Sequence, residues 1–202
     1  MKEIIEKSLG NSYKYEEFKD LASNLLAEGR STGHEQSEAL TNYSLLNDRR
    51  MKRLDKTIKI SDKTITEIKQ IKDPQTWLVI TESWCGDAAQ NLPVIHKIGE
   101  TNPLIDLKLV LRDDNEDLMN QFLTNGGKAI PKLIALDKDK NIINTWGPRP
   151  TIATKMVADY KKEHGRLDAQ FKKDLQVWYN KDKGQSVQKD FIELIKKNKM
   201  NS

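Results

Sequence analysis

The 202-residue sequence contains a single cysteine, Cys85, and three histidines that stand far apart along the chain. One cysteine cannot form an internal disulfide, and it cannot build a cysteine-rich metal site with histidines so widely separated. The sequence also lacks any apolar run that approaches the roughly 20 residues of a membrane span. Its first residues are charged throughout and contain no signal-peptide core or cleavage site. We therefore expect a soluble cytoplasmic protein with no metal and no cofactor, in a reducing compartment where a lone thiol persists.

Aromatic residues are also scarce, at 6% of the sequence, and the net charge is a mild +4. Basic residues cluster only at 49–53 and 196–199. Because no aromatic stacking residues are interleaved with either cluster, the pattern indicates a solvated helix face and a terminal tail. We expect no nucleic-acid partner and no membrane partner. The oligomeric state is not indicated by any pattern in the sequence.

Hydrophobic periodicity divides the sequence into three zones. Residues 1–72 and 151–202 place apolar side chains at three- and four-residue spacings, which indicate amphipathic helices. The predicted helices of these two zones are 15–28, about 36–54, one capped by Ser61, 151–162, 168–179 and 187–197.

The middle zone, 73–150, has the pattern of a small α/β sandwich. Short apolar, β-branched runs indicate buried strands, and they alternate with helical segments. The predicted elements are, in order, a strand at 76–81, a helix at 86–100 interrupted by Pro93, a strand at 105–111, a helix within 113–127, and strands within 132–137 and 141–146. This order predicts that the first two strands are parallel and the last two antiparallel.

Cys85 lies between the first predicted strand and the helix that follows it. Unpaired backbone N–H groups at a helix start favour a thiolate over a thiol. Glu82 and Asp87 oppose this, because nearby negative charge disfavours the thiolate, and no lysine or arginine lies within three residues. The direction of the pKa shift therefore stays open. His96 is no candidate base within the helix, because eleven residues amount to roughly 16 Å of helical rise.

The neighbours of Cys85 suggest how a substrate would approach. Gly86 adds room for another chain, and Trp84 would offer a flat apolar wall, either for packing or for a substrate. Arg149 would either neutralise a nearby acid or reach the site, and the sequence does not choose between these roles.

The segment WCGDA, residues 84–88, resembles the thioredoxin active-site motif Trp-Cys-Gly-Pro-Cys, with aspartate and alanine in place of the proline and the second cysteine. Pro93 stands where thioredoxins carry the proline that kinks the active-site helix. Ile130 and Pro131 resemble the segment that bears the cis-proline opposite the active-site cysteine. The resemblance covers about residues 60–165.

The resemblance implies a thioredoxin-like three-layer α/β/α sandwich with helical extensions at both ends. The whole chain looks like a bacterial subgroup of thioredoxin-like proteins with such extra helices. One domain is then expected over 1–202, with an N-terminal extension at 1–59, a core at 60–165 and a C-terminal extension at 166–202.

The resemblance also implies the roles of the site residues. Cys85 would be catalytic, and the residues expected to contact a substrate are Trp84, Gly86, Asp87, Ile130 and Pro131. Ala88 removes the resolving thiol, and Val79 stands where thioredoxins place a buried acid. We therefore expect monothiol thiol–disulfide exchange in cell redox homeostasis, with a disulfide-containing protein or a low-molecular-weight thiol as partner.

Two other interpretations stay open. The fold could be a catalytically degenerate module that binds a peptide or protein partner, with Cys85 idle. Cys85 could also be a sensor oxidised to sulfenic acid, which needs a lowered pKa and an exposed sulfur. The monothiol interpretation requires that solvent reach the sulfur of Cys85 and that the bond before Pro131 be cis.

Overall fold

The computed structural model describes residues 1–200, with side chains through residue 197. These residues form a four-stranded sheet and nine helices, joined by loops. The strands are β1 (Gln75–Thr81), β2 (Ile105–Leu111), β3 (Lys132–Leu136) and β4 (Ile142–Trp146). The helices are α1 (Lys2–Gly10), α2 (Tyr15–Ala27), α3 (Glu38–Thr57), α4 (Asp62–Ile68), α5 (Gly86–Gly99), α6 (Glu116–Gln121), α7 (Thr151–His164), α8 (Ala169–Asp182) and α9 (Gln185–Met200).

The strands follow the order β2–β1–β3–β4 across the sheet. β1 is parallel to β2 and antiparallel to β3, and β3 is antiparallel to β4. At the centre of the sheet, Val79 pairs with Leu109 on one side and with Leu133 on the other. The predicted α/β architecture is confirmed, as are the parallel first pair and the antiparallel last pair. β1 and β3 are almost entirely buried, which explains their continuous apolar sequences.

α5 is the most buried helix of the core. Leu92, Ile95 and Ile98 recur at helical spacing and are fully buried. Pro93 lies inside the helix, which continues through it to Gly99. α5 is buried along most of its length, and its first turn follows the carboxyl end of β1.

The N-terminal helices close one edge of the sheet. Tyr13, between α1 and α2, exchanges two backbone hydrogen bonds of 2.8 Å with Leu109 of β2. An edge strand with unpaired backbone groups favours aggregation, and this pairing covers part of β2. α1 is absent from the predicted elements, because this short helix buries only Ile5 and Ser8 and one of these is polar.

The helix predicted within 113–127 is reduced to α6. The side-chain amide of Asn115 donates to the carbonyl of Leu111 at 2.8 Å and does not cap the helix. At the other end, Thr124 and Gly127 exchange backbone hydrogen bonds of 2.9 and 3.0 Å. The glycines therefore belong to a tight turn rather than to the end of a long helix.

The buried apolar side chains form two separate clusters. The larger one fills both faces of the sheet and includes α9, where Phe191 contacts Trp77 and Trp146 with ring centroids 5.1 and 5.6 Å apart. The smaller cluster joins only α7 and α8 and consists of Ala153, Val157, Phe171, Leu175 and Tyr179. We call residues 151–182 the α7–α8 hairpin. Among residues 1–200, no helix combines the length and apolarity that a bilayer crossing requires.

Candidate functional site

Cys85 is the N-cap residue of α5. Its sulfur accepts a hydrogen bond from the backbone N–H of Ala88 at 3.4 Å. The thiol donates to the carbonyl oxygen of Ile130 at 3.3 Å. The β1–α5 turn is closed by the Cys85 N–H, which donates to the carbonyl of Glu82 at 3.2 Å. The helix start and the segment before β3 therefore meet at this sulfur, as the sequence predicts.

The peptide bond between Ile130 and Pro131 is cis. Both residues are buried, and Gly147, in the loop between β4 and α7, packs against them. Gly147 has a φ of +110°, and a Cβ built on it would overlap the carbonyl oxygen of Pro131. Only glycine allows this approach, so the loop fixes the position of the segment opposite Cys85.

The sulfur of Cys85 is not accessible in this conformation, since the residue is only 9% exposed. Burial raises the pKa of its thiol to about 12, and the negative charge of Asp87 adds to the effect. The backbone N–H groups of Ala88 and Asp87 and the charge of Arg149 lower the pKa, but by less. Cys85 is therefore a neutral thiol at pH 7, and the expectation of a solvent-reached sulfur is wrong for this conformation.

Asp87 is the centre of a buried polar network next to Cys85. Arg149 Nη2 lies 2.6 Å from Asp87 Oδ2, and Tyr179 Oη donates to Asp87 Oδ1 at 2.9 Å. Burial raises the pKa of Asp87, and Arg149 and Tyr179 oppose that shift. Of the two roles open to Arg149, the structure shows neutralisation of the acid. Asp87 is engaged by side chains of the protein rather than free for a substrate.

Side chains from two other helices lie beside Gly86 in this conformation. A methyl group on Gly86 would lie 3.4 Å from Gln176 Nε2 and 3.7 Å from Arg50 Nη1. Gln176 belongs to α8 and also accepts from the side-chain amide of Gln90 at 2.9 Å. Both helical extensions therefore contribute side chains above the residue that follows Cys85.

Trp84 is half-buried and does not present a free wall. The guanidinium of Arg112 lies over its ring, 4.8 Å from the centroid. Such stacking stabilises the ring orientation and occupies one face of the indole.

The loop that carries Cys85 is fixed by the N-terminal part of the chain. Ser83 Oγ accepts from the backbone N–H of Thr32 at 3.1 Å and lies 2.8 Å from Ser44 Oγ. The side-chain amide of Asn47 donates to the Ser83 carbonyl at 2.8 Å. Glu82 is also buried, which raises its pKa. This buried polar packing positions the loop more strictly than apolar contacts would.

Three residues of the site are absent from the predicted set: Arg50, Gln176 and Tyr179. The sequence carries one signal for the last of them, since Phe171, Leu175 and Tyr179 recur every four residues and define one face of α8. That spacing predicts a packed face, but it does not identify Asp87 as the partner.

His96 and His164 both pack against tyrosine rings. His96 stacks on Tyr15 with ring centroids 4.0 Å apart, and His164 lies beside Tyr160 at 4.1 Å. Within the part of the chain that the structure describes, no group of three or more His, Cys, Asp or Glu residues could hold a metal ion.

A family model described as Thioredoxin matches residues 33–161, which is more than half of the chain. The chain therefore belongs to the thioredoxin family. The matched region begins before α3 and so includes part of the predicted N-terminal extension. A search of curated proteins finds no match.

Two solved structures resemble this one over nearly their full length. The protein of unknown function PA1234 from Pseudomonas aeruginosa is 17% identical, with 91% of this chain and 98% of that chain covered and a TM-score of 0.56. An HIV epitope scaffold of the 4E10 type is 19% identical, with the same coverage and a TM-score of 0.54. At these identities the likeness concerns the fold alone.

Proposed function

We propose that the protein carries out monothiol thiol–disulfide exchange through Cys85, within cell redox homeostasis. The observation that supports it is the meeting of three features at one sulfur: the start of α5, the cis bond at 130–131 and the carbonyl of Ile130. A thiolate at this position gains the N–H groups of the first helical turn as the proton leaves. The substrate would be a disulfide-containing protein or the disulfide of a low-molecular-weight thiol.

The chemical steps follow from the absence of a second thiol. The Cys85 thiol loses its proton to solvent, and the thiolate attacks one sulfur of the substrate disulfide. The substrate S–S bond breaks, and the leaving sulfur departs as a thiolate that takes up a proton. Because residue 88 is alanine, the mixed disulfide on Cys85 has no internal attacker. An external low-molecular-weight thiolate then attacks the substrate-derived sulfur of the mixed disulfide, and the bond from that sulfur to Cys85 breaks. The bound half of the substrate leaves as a disulfide with the external thiol, and the Cys85 thiolate takes up a proton.

The substrate-contacting roles of Trp84, Gly86, Asp87, Ile130 and Pro131 belong to this proposal. An extended substrate segment would lie along residues 130–131, beside the sulfur, as an added strand. The proposal also includes a cytoplasmic location, because a reducing compartment supplies the external thiol.

The test is the mass of the intact full-length chain after incubation with oxidised glutathione at pH 8. We expect one glutathione adduct per chain, which persists until a reducing thiol is added. Cys85→Ser is the matched control and stays unmodified. Wild-type chain unfolded in urea verifies that the reagent is active. If the folded chain stays unmodified for hours while the unfolded chain reacts, monothiol exchange is refuted.

A second candidate is a partner-binding module in which Cys85 is idle. The burial of Cys85 and its raised pKa favour this candidate. The two candidates differ in their dependence on the sulfur. A binding module keeps its partner when Cys85 is replaced by serine, whereas a monothiol enzyme loses the disulfide-linked complex.

A further inference from the structure

The α7–α8 hairpin is built differently from the rest of the fold. Its apolar side chains pack on one another in a cluster of their own, separate from the core around the sheet. A unit with its own apolar cluster can move without breaking that cluster. The motion then costs only the contacts between the unit and the body of the protein.

Polar side chains join α8 to the body of the protein. Tyr179 Oη donates to Asp87 and lies 3.3 Å from the side-chain amide of Asn91. Gln176 pairs with Gln90, and Arg53 Nη2 donates to Asn180 Oδ1 at 2.7 Å. Polar groups exchange these partners for water at a small net cost per hydrogen bond, unlike buried apolar surface.

Both ends of the hairpin are tied to α9. The backbone N–H of Thr151 donates to Asp190 Oδ2 of α9 at 2.9 Å, and Trp146 Nε1 donates to the same oxygen at 2.9 Å. α9 itself belongs to the main core. At the other end, the backbone N–H of Ser186 in α9 donates to Asp182 Oδ2, in the last residue of α8, at 3.1 Å. The hairpin is therefore tied to the core at both ends, and the polar contacts above α5 hold α8 between them.

α8 covers the two residues that follow Cys85. Tyr179 donates a hydrogen bond to Asp87, and the side chain of Gln176 lies beside Gly86. Asp87 and Gly86 are the two residues that follow Cys85. These are the positions that an incoming disulfide must pass if it approaches the first turn of α5.

We propose that the α7–α8 hairpin is a hinged cover over Cys85, latched by the hydrogen bond from Tyr179 to Asp87. A disulfide reaches the sulfur only when this latch opens and α8 leaves the first turn of α5. The inference rests on the proposed function, since it states how the substrate enters the same site.

The test compares Tyr179→Phe with wild type and with Tyr160→Phe in the full-length chain. Tyr179→Phe keeps the ring in the hairpin cluster and removes only the latch hydroxyl. Tyr160→Phe removes a hydroxyl that donates to Asp168 within the hairpin at 2.7 Å. The readouts are the rate of Cys85 alkylation by iodoacetamide at pH 8 and backbone hydrogen exchange of α8.

Tyr179→Phe is expected to raise both rates about tenfold, which corresponds to about 1.4 kcal/mol in the opening equilibrium. Tyr160→Phe is expected to leave both rates within twofold of wild type. The cover is overturned if Tyr179→Phe leaves the alkylation rate unchanged, whether or not hydrogen exchange rises. A rise in both rates with Tyr160→Phe also overturns it, because opening would then be unfolding of the hairpin.

Failure of the proposed function gives a different result. If Cys85 is alkylated faster in Tyr179→Phe but neither chain forms an adduct with oxidised glutathione, the cover stands and monothiol exchange does not.

Discussion

The thiol of Cys85 donates a hydrogen bond to the carbonyl oxygen of Ile130 across 3.3 Å. A thiolate cannot make this bond, because it has no proton to donate, and it would instead face the negative end of a carbonyl dipole. This relationship agrees with a pKa raised to about 12. The fold thus places the sulfur at the start of α5, beside the cis bond at 130–131, and favours its protonated state.

The first prediction concerns the pH dependence of Cys85 alkylation. An exposed cysteine has a pKa near 8.5, and its reaction rate levels off above that pH. In the folded protein the rate is expected to keep rising through pH 10, because the covered, protonated thiol remains the dominant form. Iodoacetamide kinetics between pH 7 and pH 10 measure this. A plateau near pH 8.5 would show that the sulfur is exposed.

The second prediction concerns stability at alkaline pH. The folded pKa of Cys85 is raised to about 12, whereas the unfolded thiol ionises near pH 8.5. The unfolded state therefore loses its proton first, and the free energy of unfolding falls as pH rises above about 8.5. The expected loss is about 1.4 kcal/mol per pH unit.

Urea unfolding of wild type and Cys85→Ala between pH 8.5 and pH 10 tests this slope. Cys85→Ala lacks the titrating thiol. Its free energy of unfolding should therefore fall with pH by about 1.4 kcal/mol per pH unit less than that of wild type. The pH-dependent contributions of titratable groups that both chains share cancel in this difference. Parallel curves for the two chains would contradict a strongly raised pKa.

The third prediction concerns Asp87→Asn. The carboxylate of Asp87 raises the pKa of the Cys85 thiol, and Arg149 lowers it. Replacement by asparagine removes the negative charge, keeps an oxygen that can accept from Tyr179, and leaves the positive charge of Arg149. We expect a lower thiol pKa and faster alkylation at pH 8. Asp48→Asn, which removes a surface pair with Lys52, is the control and should have no effect.

The fourth prediction concerns Gly147→Ala. A Cβ at this position would overlap the backbone of Pro131, which cannot move as a flexible side chain would. We expect the free energy of unfolding to fall by about 3 kcal/mol or more. Gly165→Ala is the matched control: its φ is also positive, at +74°, but nothing lies within 4 Å of its Cβ. The free energy of unfolding of that variant should fall by only about 1 kcal/mol, because alanine tolerates a positive φ less well than glycine does. Equal losses of stability in the two variants would show that Gly147 does not pack tightly against Pro131.

The core of the fold was predictable from sequence because its signals are local. β2 has the predicted bounds and β1 differs by one residue, since continuous β-branched runs mark buried strands. Cys85 meets the carbonyl of Ile130, next to the cis bond, as the resemblance to thioredoxins implies. The division into extensions and core at residues 59 and 165 stays a prediction.

The cover over the site was not predictable in the same way. Tyr179 and Asp87 are separated by 92 residues, and their contact depends on how the C-terminal helices pack. Hydrophobic spacing identifies the packed face of α8 but not the surface beneath it. The pKa of Cys85 depends mainly on its burial, which is why neighbouring charges in the sequence left the direction of the shift open.

The intact mass of the wild-type and Ala88→Cys chains after treatment with oxidised glutathione tests the monothiol account most directly. Ala88 lies one helical turn from Cys85, and its N–H already contacts the sulfur. Wild type should retain one glutathione after removal of excess reagent, whereas Ala88→Cys should expel it and form an internal disulfide. If wild type carries no glutathione under conditions where the urea-unfolded chain does, the assignment of Cys85 as the reacting group is contradicted.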